Sequence, residues 1–539
     1  MTIIAFTLFS NLLYFYGRSI IIILSKLFHK NLKAFQIGGL NISTFYPLIS
    51  LFIIGNITFI YNFLFPTKYL IYIIFPIIFV NFLDLDFLDL NDYKFFDFLI
   101  FPLILGISTS NIGLHFDAGL YHLNFQYWLR ESNLVVGLSN IYAPYGWSSI
   151  NEYISSIFWI NENFIIIHFV QLVFILQFFI FIFHTLMSDN NYLRYSSLFV
   201  ISYGILDNFG INGGVNGFLS IQSIGKFDVS FGILFYIFSI LVLDSISQKR
   251  YDLKTNLFIT FMFIFCFQMK LTGLICSFLY FIYAYKFIRF KKIKINSYFR
   301  QNLAAIFISI FWIIKNILQT GCLFFGLEQS CLNISWYQSG YSNAINIDTK
   351  EFNNAYFIGG DFLDWFTNWS NLNFIEYFLS NFLISFFLIL FLRLIFVRKF
   401  KNFKNLLSMN IFIFLNIILW ITGAPNPRFG YGFFILIFGV LGYGLTLENK
   451  NLSYLLNNKK ILVSLFFISL ILTPRFSSYS SSIESLNEFR VINPPQVTFE
   501  KSQFWGEVPL NGECWVNLLC NKSNKNLNEG QFLIFKSFS

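Results

Sequence analysis

The sequence predicts an all-α polytopic integral membrane protein, and three observations predict it. Of 539 residues, 56% are hydrophobic and only 12% charged, about half the charged share of an average soluble domain. Apolar runs recur from Ile3 to Leu472 and leave no polar stretch long enough for a soluble domain. The basic residues gather in short loops between those runs, where the positive-inside rule puts them. A soluble globular enzyme is excluded, and the net charge of +9 is distributed for a membrane rather than for nucleic acid.

A spanning helix needs about 20 apolar residues, fewer where the flanks snorkel. On that criterion spans fall near 3–25, 45–64, 69–83, 95–110, 162–185, 197–208, 229–246, 255–269, 271–286, 302–318, 376–397, 407–423, 430–447 and 460–473. The expected count is about 14, in a range of about 12–14. Segment 197–208 and the pair flanking Lys270 are short for simple spans and suit broken or re-entrant helices. The 77 Phe are generic lipid-facing bulk, so a phenylalanine stripe carries no separate message.

Basic clusters fix the orientation: Lys26, Lys30 and Lys33; Lys249, Arg250 and Lys254; Lys286, Arg289, Lys291, Lys292 and Lys294; Arg398, Lys399, Lys401 and Lys404; Lys459 and Lys460. With fourteen spans they share one side, which the loop-charge rule makes cytoplasmic. The polytopic domain is then 1–473, with outward loops 111–160 and 319–375, and 474–539 is a small outer tail marked by Pro494, Pro495 and Pro509. Cys322 with Cys331, and Cys514 with Cys520, lie in outward segments at spacings that suit disulfides, as in an oxidising bacterial periplasm. Cys266 and Cys276 sit in apolar runs. The first residues lack a basic n-region and an Ala-x-Ala site, so the first span is expected to stay as an anchor.

The densest chemistry is in the first outward loop, which carries His115, Asp117, Tyr121, His122, Arg130 and Glu131 within a chain of few charges. From Ala118 the spacing is helical, with Leu120, Leu123, Tyr127 and Trp128 on one stripe. Such a helix is expected to lie in the membrane interface. Asp117 stands where it begins, which suits an N-cap and also a general base at the water–lipid boundary. His115 and His122 suit phosphate, a metal shared with Asp117, or an interfacial role. A divalent metal is therefore an option, and its identity stays open. Further on, the segment from Asn140 to Glu152 combines Tyr142, Tyr145 and Trp147 with amides and a carboxylate, as a sugar ring's apolar faces and hydroxyls require.

Other outward charges abut the apolar slab, where a charge is costly and persists when paired or used. Lys226 and Asp228 close a Gly-rich stretch from Gly210 to Gly217, Lys270 interrupts an apolar region, and Arg428 opens a helix after Pro425 and Pro427. Lys226, Lys270 and Arg428 suit a lipid phosphate. The plainer role for Arg428 is a salt bridge to Asp361 or Asp364, and for Lys315 it is snorkelling.

An outward acidic residue, a following interfacial helix and many further spans together resemble the GT-C superfamily of polytopic glycosyltransferases. The resemblance is one of layout over roughly 95–475, and Asp117 in His115-Phe116-Asp117 is the matching position. It implies sugar transfer from a polyprenyl-phosphate-linked donor to a glycan or lipid acceptor on the periplasmic face of a bacterial inner membrane. Asp117 would be the base; Lys226, Lys270 and Arg428 would hold the lipid phosphate; His115, Tyr121, His122, Arg130, Glu152 and Asp228 would belong to the substrate site. The loop here follows about four spans rather than one, and the string Asp84, Asp86, Asp89 falls on the cytoplasmic side. An O-antigen-polymerase-like enzyme and a transporter or lipid-linked-sugar flippase are the alternatives. No P-loop, Rossmann fingerprint, His-Glu-x-x-His or Gly-x-Ser-x-Gly motif is present.

Overall fold

The computed structural model describes residues 1–27, 35–83, 94–159, 163–209, 219, 221–337, 339–356, 360–396, 403–443, 445, 458–474, 476–485, 487–503, 505–521 and 529–538. Lys30, Lys33, Asp84, Asp86, Asp89, the stretch Gly210–Gly217, Arg398, Lys399 and Lys401 lie outside the described residues.

Among the described residues the fold is mostly helical, with short antiparallel ribbons of two strands each. Among the described residues eight helices are long and apolar enough to cross a membrane, or nine if the bent pair Lys459–Leu472 and Ser477–Glu484 is one span. The remaining expected spans fall on shorter helices (Thr67–Phe82, Phe96–Asn111, Leu253–Met269 and Pro427–Gly442) and on the less apolar Asn191–Phe209.

The principal helices are α1 (Thr2–Leu27), α2 (Tyr46–Asn62), α3 (Leu123–Glu131), α4 (Ile150–Ser156), α5 (Ile165–Met187), α6 (Asn191–Phe209), α7 (Asp228–Ser247), α8 (Leu253–Met269), α9 (Cys276–Lys291), α10 (Leu303–Thr320), α11 (Phe362–Ser370), α12 (Asn373–Phe396), α13 (Phe403–Gly423) and α14 (Pro427–Gly442). The centre is α5 and α7, whose apolar windows are 94% and 100% buried. In contrast α10, α12 and α13 are only 22–28% buried and expose Phe307, Phe387, Phe391 and Phe414, as helices on a lipid-facing rim should.

Small residues let the central helices approach closely, the usual solution where burial against lipid offers no drive. A Cβ on Gly232 of α7 would lie 3.0 Å from the backbone nitrogen of Gly432 on α14. Farther along, Gly439 meets Tyr236 and Gly442 meets the backbone of Tyr195. Polar pairs add specificity: Asn56 and Gln268 exchange amide hydrogen bonds at 2.9 and 3.2 Å between α2 and α8.

Alternation of the helices sorts the charges to two ends. Asp228 starts α7 and Lys249 and Arg250 follow its end; Lys254 lies at the start of α8 and Lys270 follows its end. At the basic end, buried Asp244 accepts from Asn190 at 3.0 Å and Tyr443 at 3.2 Å and pairs with Arg250 at 3.4 Å.

Candidate functional site

The helix expected after Ala118 is present in two parts, a π-helical turn Ala118–His122 running into α3. Its apolar stripe packs against protein: Leu123 and Trp128 are buried, and Trp128 meets the Phe538 ring edge-on. Asp117 is not the cap of this helix. Its backbone is already αR, and its side chain makes no capping hydrogen bond. The helix begins one residue earlier, which leaves the carboxylate for other partners.

Two contacts clamp the π-turn. On one side the chain pairs with the start of the Lys226 segment, the His115 N–H donating to Ile224 at 3.0 Å and the Ile224 N–H to Gly113 at 3.1 Å. Gly225 takes φ +97°, and a Cβ there would fall 2.6 Å from Ala118, so glycine is required on both counts. On the other side Trp515 of the tail lies on Gly119, with the N–H groups of Cys514 and Trp515 donating to the Gly119 carbonyl at 2.9 and 3.0 Å.

These clamps carry Asp117 to a cluster built from four distant segments. Asp117 Oδ2 lies 3.2 Å from His115 Nδ1 and 3.9 Å from Arg428 Nη1. Arg428 Nε lies 3.8 Å from Asp228 Oδ2, and Lys270 Nζ lies 2.8 Å from Asp228 Oδ1. The two cations share one aromatic ring, Lys270 Nζ at 4.1 Å and the Arg428 guanidinium carbon at 4.6 Å from the Phe429 ring centroid. Local structure explains the placement. Asn426 caps α14 by accepting from the Arg428 N–H at 3.2 Å, Pro427 fills the first turn, and Lys270 occupies the extended residue that breaks α8 from the next helical segment.

The carboxylates are the buried part and the cations the open part: side-chain exposure is 12% for Asp117 and 14% for Asp228, against 24% for Arg428 and 31% for Lys270. Lys226 makes no ion pair within 4.0 Å among the described residues. Burial, helped by Arg428, pulls its amine below the ordinary lysine value, against the attraction of Asp117 and Asp228. Burial also lowers His115, with Lys226 and Arg428 adding to the effect and Asp117 opposing it. The Tyr121 hydroxyl is pushed well up by burial and by the Asp117, Asp228 and Glu152 carboxylates, so it stays a neutral donor. The arrangement holds an excess of positive charge at its open edge, suited to a phosphate, beside carboxylates suited to a hydroxyl.

Behind the cluster runs a second chain of contacts. His122 Nδ1 meets Glu152 Oε1, Gln126 Nε2 donates to Glu152 Oε2 at 2.6 Å, and Trp159 Nε1 donates to Gln126 Oε1 at 2.8 Å. Glu152 is 3% exposed, so it faces this chain and not the open edge. Arg130 points away from the cluster, donating to the Ser156 carbonyl at 2.6 Å and covering the Trp159 ring.

Several expectations meet a different geometry. Arg428 pairs with Asp117 and Asp228, not with Asp361, whose carboxylate caps α11, nor is a pairing with Asp364 found. Lys315 is fully buried and does not snorkel: its ammonium donates to Ser148 at 2.6 Å and sits 3.7 Å over the Trp312 ring. Disulfides join Cys322 to Cys331 and Cys514 to Cys520, and Cys266 and Cys276 are buried free thiols. Among the described residues no group of three or more His, Cys, Asp and Glu side chains is placed to hold a metal ion. Sequence reasoning missed Phe429 and Trp159, because single aromatics carry no signal in so aromatic a chain.

A family described as "Domain of unknown function (DUF8201)" matches residues 1–435. The chain belongs to that family, and the match includes Asp117, Asp228, Lys270 and Arg428, while the C-terminal part of α14 and the tail lie beyond it. No curated protein and no solved structure matches the chain.

Proposed function

We propose that this member of the DUF8201 family is a membrane glycosyltransferase of GT-C type, moving a sugar from a polyprenyl-phosphate-linked donor to a glycan or lipid acceptor. One observation carries the reading: Asp117, Arg428, Asp228 and Lys270 form a continuous chain of charges from four separate segments. Charges beside an apolar slab are costly, and four that converge this way cost least where they do work. Asp117 takes the proton of the acceptor hydroxyl. Arg428, Lys270 and Lys226 hold the phosphate as the bond to the sugar's anomeric carbon breaks. Sugar transfer of this kind needs little covalent machinery beyond a base and cations on the leaving group.

The same reading places the fourteen expected helices across a bacterial inner membrane, the basic ends cytoplasmic and the cluster periplasmic. The shorter helices then span by packing against protein and by locally thinned lipid. Transport is the second reading, favoured by the Asp97–His184 pair at 2.8 Å between apolar helices.

The test is mass spectrometry of lipid-linked and surface glycans from cells lacking the protein, complemented with wild type or Asp117→Asn at matched membrane abundance. A glycan one sugar short that only wild type restores supports transfer. Full restoration by Asp117→Asn removes Asp117 as the base. Accumulation of an intact lipid-linked precursor replaces transfer with polymerisation or flipping.

A further inference from the structure

The chain of contacts ending on His122 is more elaborate than packing requires. Glu152 is buried with both oxygens engaged, one on His122 Nδ1 and one on the Gln126 amide. The orientation of that amide is fixed from behind, since only its carbonyl oxygen can accept from the Trp159 indole N–H. With Gln126 so oriented its nitrogen must face Glu152, and with Glu152 so held His122 presents Nδ1 to it. The free ring nitrogen, among the described residues, is then Nε2. The ring is held between Tyr121, 4.1 Å away by centroid, and the edge of Phe227, at 5.1 Å. Its side chain is 14% exposed, and it follows Asp117 by five residues in the same clamped π-helical stretch, a geometry that recurs at functional sites.

We propose that His122 is a proton-transfer group of the cluster, and that Glu152, Gln126 and Trp159 are positioning residues that turn its Nε2 lone pair toward the reacting groups. The proposal rests on the transferase reading and extends it. Asp117 Oδ2 lies 3.9 Å from Arg428 Nη1, and in the proposed sequence Asp117 passes on the proton that it takes. The acceptor O–H bond breaks and that oxygen bonds the anomeric carbon. The carbon–oxygen bond to phosphate breaks with its electron pair on the phosphate, and the proton passes to His122 Nε2. The imidazolium so formed is balanced by the Glu152 carboxylate and gives its proton to the released phosphate, so His122 and Asp117 are both unchanged over the cycle.

The test begins with a readout that needs no substrate. Diethyl pyrocarbonate acylates an imidazole nitrogen that carries a free lone pair, and peptide mass spectrometry of the full-length protein in detergent reports the rate at each histidine. His122 is expected to label far faster than fully buried His168. Glu152→Gln keeps the shape but removes the carboxylate that makes the ring nucleophilic, and is expected to cut His122 labelling by about tenfold. Trp159→Phe, which deletes only an N–H, should give a smaller cut in a protein that still folds. Labelling of His122 as slow as that of His168, or an unchanged rate in both variants, overturns the proposal. In a transfer assay Glu152→Gln should lower turnover and leave the KM for donor unchanged. Sugar transfer with no labelling effect overturns the relay and leaves the transferase reading standing. A labelling effect with no sugar moved by wild type upholds the positioned imidazole and overturns the transferase reading.

Discussion

Gly232 on α7 and Gly432 on α14 meet at a helix crossing so close that a Cβ on the first would lie 3.0 Å from the backbone nitrogen of the second. Asp228 precedes Gly232 by four residues and Arg428 precedes Gly432 by four, so each lies one turn nearer the same end. The glycine contact therefore sets two parallel helices side by side and brings a guanidinium to within 3.8 Å of a carboxylate.

A side chain at this crossing should separate the pair. In Gly432→Leu the new Cβ starts 2.8 Å from the Phe235 ring, and overpacking of this kind costs about 1–3 kcal/mol. Thermal unfolding of the purified protein should register that loss, and glycan restoration should fail even though no charged residue is altered. Wild-type restoration by Gly432→Leu would mean that the Arg428–Asp228 contact is dispensable.

Asp228 neutralises two cations, which predicts non-additivity. Asp228→Asn leaves Lys270 and Arg428 unbalanced and should cost roughly 2–4 kcal/mol, trimmed by their partial exposure. Adding Lys270→Gln should recover part of that cost, because the partner left unpaired is gone. Equal and additive losses in denaturation midpoints would show that the 2.8 Å contact contributes nothing of its own.

His115 predicts the direction of a pH effect. Its folded value lies below the ordinary histidine value, so in that interval the unfolded chain binds more protons than the native state. Stability therefore rises with pH there and falls as pH drops below 6.5. His115→Gln should flatten this acid limb in a series of melting temperatures. An unchanged slope would assign the limb to other groups.

Lys315 offers a contrast between breaking and replacing a buried polar contact. Ser148→Ala removes the hydroxyl that accepts from its ammonium and should destabilise by about 2 kcal/mol. Lys315→Met replaces the charge with a shape of similar volume and should be close to neutral. If Lys315→Met alone abolishes glycan restoration at full stability, the amine has a chemical role.

Reducing the tail's Cys514–Cys520 bridge should loosen the Trp515 seat on Gly119. Limited proteolysis is expected to cut sooner after reduction, and the melting temperature to fall by an amount set by about 2 kcal/mol or more. A reduced protein as resistant as the oxidised one would detach the tail from the stability of the π-turn.

Much of the outline was legible in the amino-acid order. Apolar runs at membrane length fix helices because every backbone N–H and C=O must find its partner within the segment, and basic loops sort the ends. A lone Asp, Lys or Arg beside such runs stands out, and Asp117, Asp228, Lys270 and Arg428 are legible in the sequence for that reason. Only the tertiary structure decided that these four meet, because the meeting depends on glycine-to-glycine approach between helices some two hundred residues apart. It also decided that Glu152 and Arg130 turn away from the open edge, that Arg428 pairs with Asp117 and Asp228 and not with the loop at Asp361, and that Lys315 is enclosed. A sequence states which charges are present and at which helix end. Which of them share a partner is set by packing, where a shift of a few ångströms separates a working pair from an unsatisfied charge.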